Sequence, residues 1–546
     1  MGGLPVDPID AVDEKKNHDS SSSSDNELDA LPAVKGLKDD AARQLDVSLA
    51  LPGMTGVHEE DELDPAESRA VKRKLDWRIM PLLCLIYTVQ FLDKNNIGAS
   101  AILGFLQDAH LTGEQLNNLG TFFYVGMLAS QLPHAYAFQK LPVAKYLAVM
   151  MFFWAVLVGV HAAGRSYHSL IAIRLLLGFT EGCITPGLML VTSMYYTRAE
   201  MGERVGLVFQ CNGIASILSG FIAFGAYHTP NHTPLSLPQN HGKVAQWQWF
   251  MIIISLLTLA TSILFALFFP DSPTKAKFLS GEERVIAIKR IKTNQSGVET
   301  KSWKWPTSLC STPFFANFVG GIGIQYTLII KDFGFKVWQT TLLNIPGGAL
   351  MVITVTVSMW IFHKYPNARG WISAGSYVPS IIAAMVLVIH PNSRVGLLIA
   401  FYCIQLGCTP AVVLSLSWIT TTTSGHTKKL VLNAMWLIGY SVGQMVSPQW
   451  WKDKYKPKNR VPWIIILSSY CFQVVIILFL RWFLQRRNRI RDEAAKNATT
   501  EEEKDLYGEY GWLEVPGADG SVNKIRVEKR FLDLTDFENK NFRYVL

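Results

Sequence analysis

From residue 76 to residue 483 the chain alternates apolar blocks of about 20 residues with short polar links. A helix rising 1.5 Å per residue needs about that length to cross the roughly 30 Å hydrocarbon core of a bilayer. Twelve blocks are read this way, at 78–101, 117–138, 143–163, 169–195, 205–227, 247–269, 309–331, 341–363, 370–390, 394–417, 428–449 and 462–482. Lipid offers no partner for an open sheet edge, so the blocks are helices and the fold class is all-α. An even number of crossings places both tails on one side.

The only long internal link, 270–308, divides the spans into six plus six, and the halves echo each other. Gly182-Cys183-Ile184-Thr185-Pro186 in span four is answered by Gly407-Cys408-Thr409-Pro410 in span ten. Spans five and eleven correspond over Gln210–Gly220 and Asn433–Gly443, and spans two and eight end at Phe138 and Phe362, all offset by about 224 residues. Pseudo-symmetric six-helix halves with a midplane site between them are a common plan for secondary transporters. The expected organisation is an acidic, Ser-rich tail at 1–75, one half at 76–270 and a linker at 271–308. A second half follows at 309–483, with a further tail at 484–546. Within the linker, Ser280-Gly281-Glu282-Glu283 resembles a capping box that opens a short amphipathic helix through Lys292.

Composition strengthens the membrane reading. Only 17% of the 546 residues are charged while 49% are apolar, against about 25% charged in a soluble domain. The net charge of +8 does not signal nucleic acid, because basic residues cluster at block ends. The bias of Lys and Arg, including Lys72–Lys74, the 270–308 link and the Arg481–Arg491 cluster, puts both tails in the cytoplasm, with WKDKYKPKNR (451–460) a local exception. No cleavable leader is read in the first 75 residues. Asn231 heads an Asn-His-Thr sequon in a link that this orientation places outside, a candidate glycosylation site. All seven cysteines (Cys84, Cys183, Cys211, Cys310, Cys403, Cys408 and Cys471) sit in apolar blocks and read as small hydrophobes. The pattern calls for no cofactor and no metal.

The chemistry lies in charges placed at lipid depth. VQFLDKNNIG (89–98) puts Asp93 and Lys94 about fifteen residues into span one, where a charge costs about 2.5–3.5 kcal/mol unless it faces a cavity or a partner. The two are sequence neighbours and point about 100° apart, so they do not pair with each other. In span four, Arg174 and Glu181 share a face but lie about 10 Å apart, too far for a direct bond. Each needs a partner elsewhere, such as Asp93, Lys94 or a bound anion. A carboxylate in an apolar site can take up a proton near neutral pH, which is what proton coupling requires. Amides are scattered through the spans, among them Gln90, Asn96, Gln210, Gln405 and Asn433, and their number suggests a hydrated path. Tyr87, Tyr124, Tyr326 and Tyr440 are either cavity walls or packing.

Several stretches together resemble the major facilitator superfamily, and within it the allantoate permease branch of the fungal anion:cation symporters. They are FLDKNNIGASAILGF, Gln139-Lys-Leu-Pro-Val-Ala-Lys-Tyr146, RLLLGFTEGCITPG, YYTRAEMGERVG, LIIKDFGF with TTLLNIPGGA, and the terminal DLTDFENKNFRYVL. The resemblance covers about residues 70–546 and implies proton-driven uptake of a small organic anion of carboxylate, ureide or vitamin type. It implies that Asp93 and Glu181 carry the proton. Lys94 and Arg174 are implied to meet the substrate carboxylate or to hold the proton sites. Three positions depart from the family pattern: Lys94 stands where Arg is usual, Gln131 where an acid is frequent, and Gln444 where Asn is frequent. Lysine lacks the bidentate fork that arginine offers a carboxylate.

The expected protein is thus a multi-pass plasma-membrane symporter, monomeric, whose partners are a small organic anion, protons and the bilayer. Two rivals keep the membrane architecture: a proton-driven exporter of a drug or secondary metabolite, and a nutrient-sensing receptor. An integral membrane enzyme is disfavoured, since no Ser/His or His/Asp pattern clusters.

Overall fold

The computed structural model describes residues 64–229, 244–292, 322–365, 367–389, 393–407, 438–456, 458–497, 507–508, 510–516, 522–528 and 539–544. Helix α1 (Pro65–Ser100) starts under Asp64, whose carboxylate accepts the Ala66 N–H at 2.9 Å. Pro65 takes the first helical position, where a missing N–H is harmless. The helix runs unbroken through VQFLDKNNIG, so Asp93 and Lys94 are helical and not part of a link. Beyond Ser100 comes one π-turn, Ala101–Phe105, in which Gly104 adopts φ 108°, a conformation that a Cβ would strain.

Helices α2 (Gly113–Lys140), α3 (Val143–Ala163), α4 (Tyr167–Glu181), α5 (Ile184–Tyr195), α6 (Arg198–Tyr227) and α7 (Gln246–Phe268) complete the first half. The linker then forms α8 (Gly281–Lys292), and Ser280 and Glu283 close the capping box with bonds of 3.2 and 3.0 Å. The second half contributes α9 (Ile322–Asp332), α10 (Val337–Leu342), α11 (Asn344–Lys364), α12 (Arg369–Ile389), α13 (Arg394–Gly407), α14 (438–446) and α15 (Arg460–Lys496). Among the described residues eight helical stretches are long and apolar enough to span a membrane, α4 with α5 and α10 with α11 each counting as one. Helix α2 is not one of them although it has 28 residues, because Asn117, Asn118, Gln131 and His134 interrupt its apolar run. Spans seven, ten and eleven of the sequence reading fall partly outside the described residues, as do Cys310, Cys408, Asn231 and Asn433.

Span four, read from the sequence as one helix, is one continuous span, Tyr167–Tyr195, with an interruption inside it. The break at Gly182-Cys183 follows Glu181 directly. Pro186 explains it: its ring leaves the Gly182 carbonyl without the usual helical N–H. The Gln131 side chain approaches that carbonyl at 3.4 Å and also donates to Met127 O at 2.8 Å. The amide that stands where an acid is frequent in the family thus mends a helix break.

Close crossings set the helix positions. A Cβ on Gly178 would strike the Phe123 carbonyl, and one on Gly126 the Leu175 carbonyl, so α2 and α4 touch backbone to backbone. Gly213 and Gly348 make the same contact between α6 and α11, where a Cβ on either would stand 2.5 or 2.6 Å from the other's carbonyl. The buried apolar side chains form two main clusters, one running from Val71 to Ala287 plus Ile324, the other from Tyr326 to Tyr470. Polar bonds join the halves where α2 begins, at the end remote from the tails. Gln325 donates to Asn117 at 2.5 Å, Asn117 to Trp451 O at 3.3 Å, and Thr121 to Met445 O at 3.0 Å.

On the tail side, α8 is tied to the start of α6. Arg290 donates to both oxygens of Glu200 at 2.8 and 3.0 Å, and Lys72 of α1 lies 3.4 Å from the same carboxylate. Lys74 pairs with Glu283. On the same side, the C-terminal part of α15 carries that 37-residue helix well past bilayer thickness. A β-hairpin, β1 (Tyr510–Pro516) with β2 (Val522–Glu528), is the tail's departure from the all-α reading. Residues 539–544 dock on α15: Phe542 and Tyr544 are buried beside Leu484, and the Asn488 side chain bonds both the N–H and the C=O of Tyr544.

The linker anchor carries a pH dependence. Burial works against the charged form of Glu200, but Arg290, the Thr197 N–H and Lys72 outweigh it and hold the carboxyl below its ordinary value of 4.5. A depressed acid stabilises the fold above its unfolded value and loses that contribution as pH falls through its folded value. The expected result is that Glu200→Gln lowers the thermal unfolding midpoint at pH 7, for a loss of roughly 1.5–3 kcal/mol. The gap to wild type should close as pH drops below 4.5.

Candidate functional site

The intramembrane charges converge on the facing surfaces of α1, α3 and α4. Lys94 of α1 places Nζ 3.5 Å from Oε1 of Glu181 at the end of α4. Glu181 is fully buried, and neither of its oxygens accepts a well-formed hydrogen bond among the described residues. Gln90, one turn before Lys94, turns its amide toward this carboxylate without closing a bond. Lys94 also lies 5.9 Å from the ring centre of Tyr440 in α14, which packs edge-on against Tyr124 of α2 at 6.1 Å. The second half therefore supplies one wall of the pair.

Asp93 faces another way. Its Oδ2 accepts the indole N–H of Trp154 at 2.8 Å, and its Oδ1 is approached by the Asn96 amide at 3.4 Å, itself bonded to Ser100. No described cation lies within 4.0 Å of it. Arg174 is almost fully buried in α4, and its Nε donates to His161 Nε2 of α3 at 3.0 Å. No described carboxylate comes within 4.0 Å of its guanidinium, and Asp93 and Glu181 act on it only from farther off. The site thus holds one closed ion pair, one acid held by neutral donors, and one base held by a neutral acceptor.

Four of the residues singled out from sequence, Asp93, Lys94, Arg174 and Glu181, are brought to this region, with Gln90 and Asn96 beside them. Gln210 is not part of it: its side chain donates to Thr356 at 2.7 Å and ties α6 to α11. Gln405 of α13 turns to Tyr326 of α9. Trp154 and His161 were missed by sequence reasoning. A histidine inside the apolar run of span three was a usable signal, since ionisable residues in spans are rare and usually functional. Trp154 gave none, being one of sixteen tryptophans.

Removing one member of a buried pair strands the other. Lys94→Met is expected to destabilise the solubilised protein by about 3–5 kcal/mol at neutral pH, less at acid pH where a proton neutralises Glu181 in place of the ammonium. Adding Glu181→Gln should recover most of the loss, read as unfolding midpoints in a double-mutant cycle.

Residues 83–448 match the Major Facilitator Superfamily. The thiamine pathway transporter of Saccharomyces cerevisiae is 30% identical, with 100% of each chain covered. The allantoate permease of the same yeast is 29% identical over 89% of this chain and 88% of its own, and its high affinity cysteine transporter 28% over 98% and 99%. Among solved structures, a proton:xylose symporter bound to 6-bromo-6-deoxy-D-glucose superposes with a TM-score of 0.55 at 13% identity, covering 74% of this chain and 94% of that one. That likeness supports the fold expected from the paired halves. The chain belongs to the major facilitator superfamily and is a multi-pass membrane transporter of small molecules, not an enzyme.

Proposed function

We propose that the protein is a proton-coupled symporter that carries a small organic anion inward, across the plasma membrane, with both tails in the cytoplasm. One observation carries the reading: two acids and Arg174 lie buried at membrane depth with a half-buried Lys94 beside them, and Arg174 is unmatched by a carboxylate among the described residues. A buried guanidinium without a counter-ion is costly, and a substrate carboxylate would relieve that cost. The relatives named for allantoate and cysteine carry solutes that bear a carboxylate, which agrees with this choice.

Coupling follows from competition for Lys94. A substrate carboxylate drawn to Arg174 and Lys94 loosens the ammonium from Glu181. The acid, left with only the Gln90 amide turned toward it among the described residues, then takes up a proton, and the loaded site carries anion and proton together with no net charge gained. Once the substrate leaves, Lys94 returns to Glu181 and expels the proton. Asp93, held by Trp154, serves as a second proton group beside the first. The rival reading, proton-driven export of a drug or secondary metabolite, would use the buried acids but gives no role to Lys94 and Arg174 as groups that meet an anion.

Reconstituted protein, tested against a panel of carboxylates including allantoate, is expected to accumulate its best substrate only with a proton gradient inward. Glu181→Gln should keep exchange of that substrate but lose gradient-driven accumulation. Accumulation that survives collapse of the gradient would remove the proton from the scheme.

A further inference from the structure

Helix α3 looks like a bystander. Phe152, Phe153, Val156 and Val160 face outward, and its sequence is nearly all apolar. Its inner face nevertheless carries both Trp154 and His161, which are 0% and 1% exposed. Seven residues turn a helix by about 700°, so the two share one stripe about 10 Å apart. One holds the acid of α1 and the other the base of α4.

The two bonds have opposite polarity. An indole N–H can only donate, so Trp154 suits a carboxylate oxygen. His161 Nε2 accepts from Arg174 Nε, so the ring proton sits on Nδ1, which faces Met251 Sδ of α7 at 3.0 Å. A protonated imidazole would aim a second N–H at the guanidinium, so the arrangement requires the neutral ring.

The register of α3 is fixed from behind. On α7, Gln248, Ser255 and Ser262 donate to the carbonyls of Ala162, Ala155 and Ala148 at 2.8, 2.9 and 3.1 Å. The spacing is seven residues on both helices, running antiparallel. A one-residue slip of α3 would break all three bonds and swing Trp154 and His161 off the stripe.

We infer that α3 is a positioning rail for the transport site, clamped to α7, with Trp154 orienting the Asp93 carboxyl and His161 orienting the Arg174 guanidinium through a neutral Nδ1–H ring. This rests on the reading of Asp93 and Arg174 as site residues, but its test needs no substrate. A failed transport assay and a failed rail therefore give separate results.

The experiment is nitrogen NMR of the full-length protein in lipid nanodiscs with labelled histidine, the His161 signals being assigned by their loss in His161→Gln. The wild type should show the Nδ1–H neutral tautomer, and Arg174→Gln should turn it into a mixture. Infrared difference spectra between neutral and strongly acid solution, the latter forcing the acid form, supply the second arm, with the Asp93 carboxyl band identified by its absence in Asp93→Asn. Trp154→Phe should move that band to higher frequency, as expected when a hydrogen bond to the carbonyl is lost. A Nε2–H tautomer at His161, or one indifferent to Arg174→Gln, would overturn the His161 half, and an Asp93 band unmoved in folded Trp154→Phe would overturn the other.

Discussion

Lys94 and Glu181 meet at 3.5 Å, the acid fully buried and the ammonium half-buried. Each charge alone would be strongly unfavourable there, and together they are tolerated because each is the other's solvent. The pair is also loosely built. Neither Glu181 oxygen has a hydrogen-bond donor in good geometry among the described residues, and Lys94 lies by the Tyr440 ring with the Asp93 charge close by. An ion pair so weakly supported is one that a third charge can open. The chemistry proposed for the site depends on that looseness.

The helices around the pair set where it can open. Glu181 is the last residue of α4, and the helical ladder is interrupted directly behind it at Gly182-Cys183. Backbone contact at Gly126 and Gly178 holds α4 against α2, while the reciprocal Gly213–Gly348 crossing lets α6 and α11 of opposite halves lie almost in contact. Polar bonds from Asn117 and Thr121 join the halves at the end remote from the tails. Such side-chain bonds are individually modest, about 1 kcal/mol each, so a seam made of them can open when a substrate adds or removes a few.

Much of this was legible in the residues because lipid makes charges conspicuous. Asp93, Lys94, Arg174 and Glu181 stood out as charges within apolar blocks, and the Ser280–Glu283 pattern marked a helix start that is present. What the sequence concealed was partnership. Lys94 finds Glu181 across 87 positions (181 − 94), and Tyr440 comes from the other half; no local period records either contact. The inner stripe of α3 is half hidden, because tryptophan reads as apolar, while the histidine was a signal whose partner on α4 the sequence did not show. Gln210 shows the converse, since a polar residue in a span pointed to a cavity but proved to be a stitch between helices. The split in span four was written in Pro186, yet a proline near a helix start signals a break only when its neighbours are known.

The most direct test follows the proton itself. Purified full-length protein in weakly buffered solution, mixed with a carboxylate that it binds, is predicted to draw about one proton from solution per anion bound, as linkage between the two ligands requires. Glu181→Gln should bind the anion with no such uptake. Binding without any proton exchange in the wild type, or the same exchange in Glu181→Gln, would contradict the account.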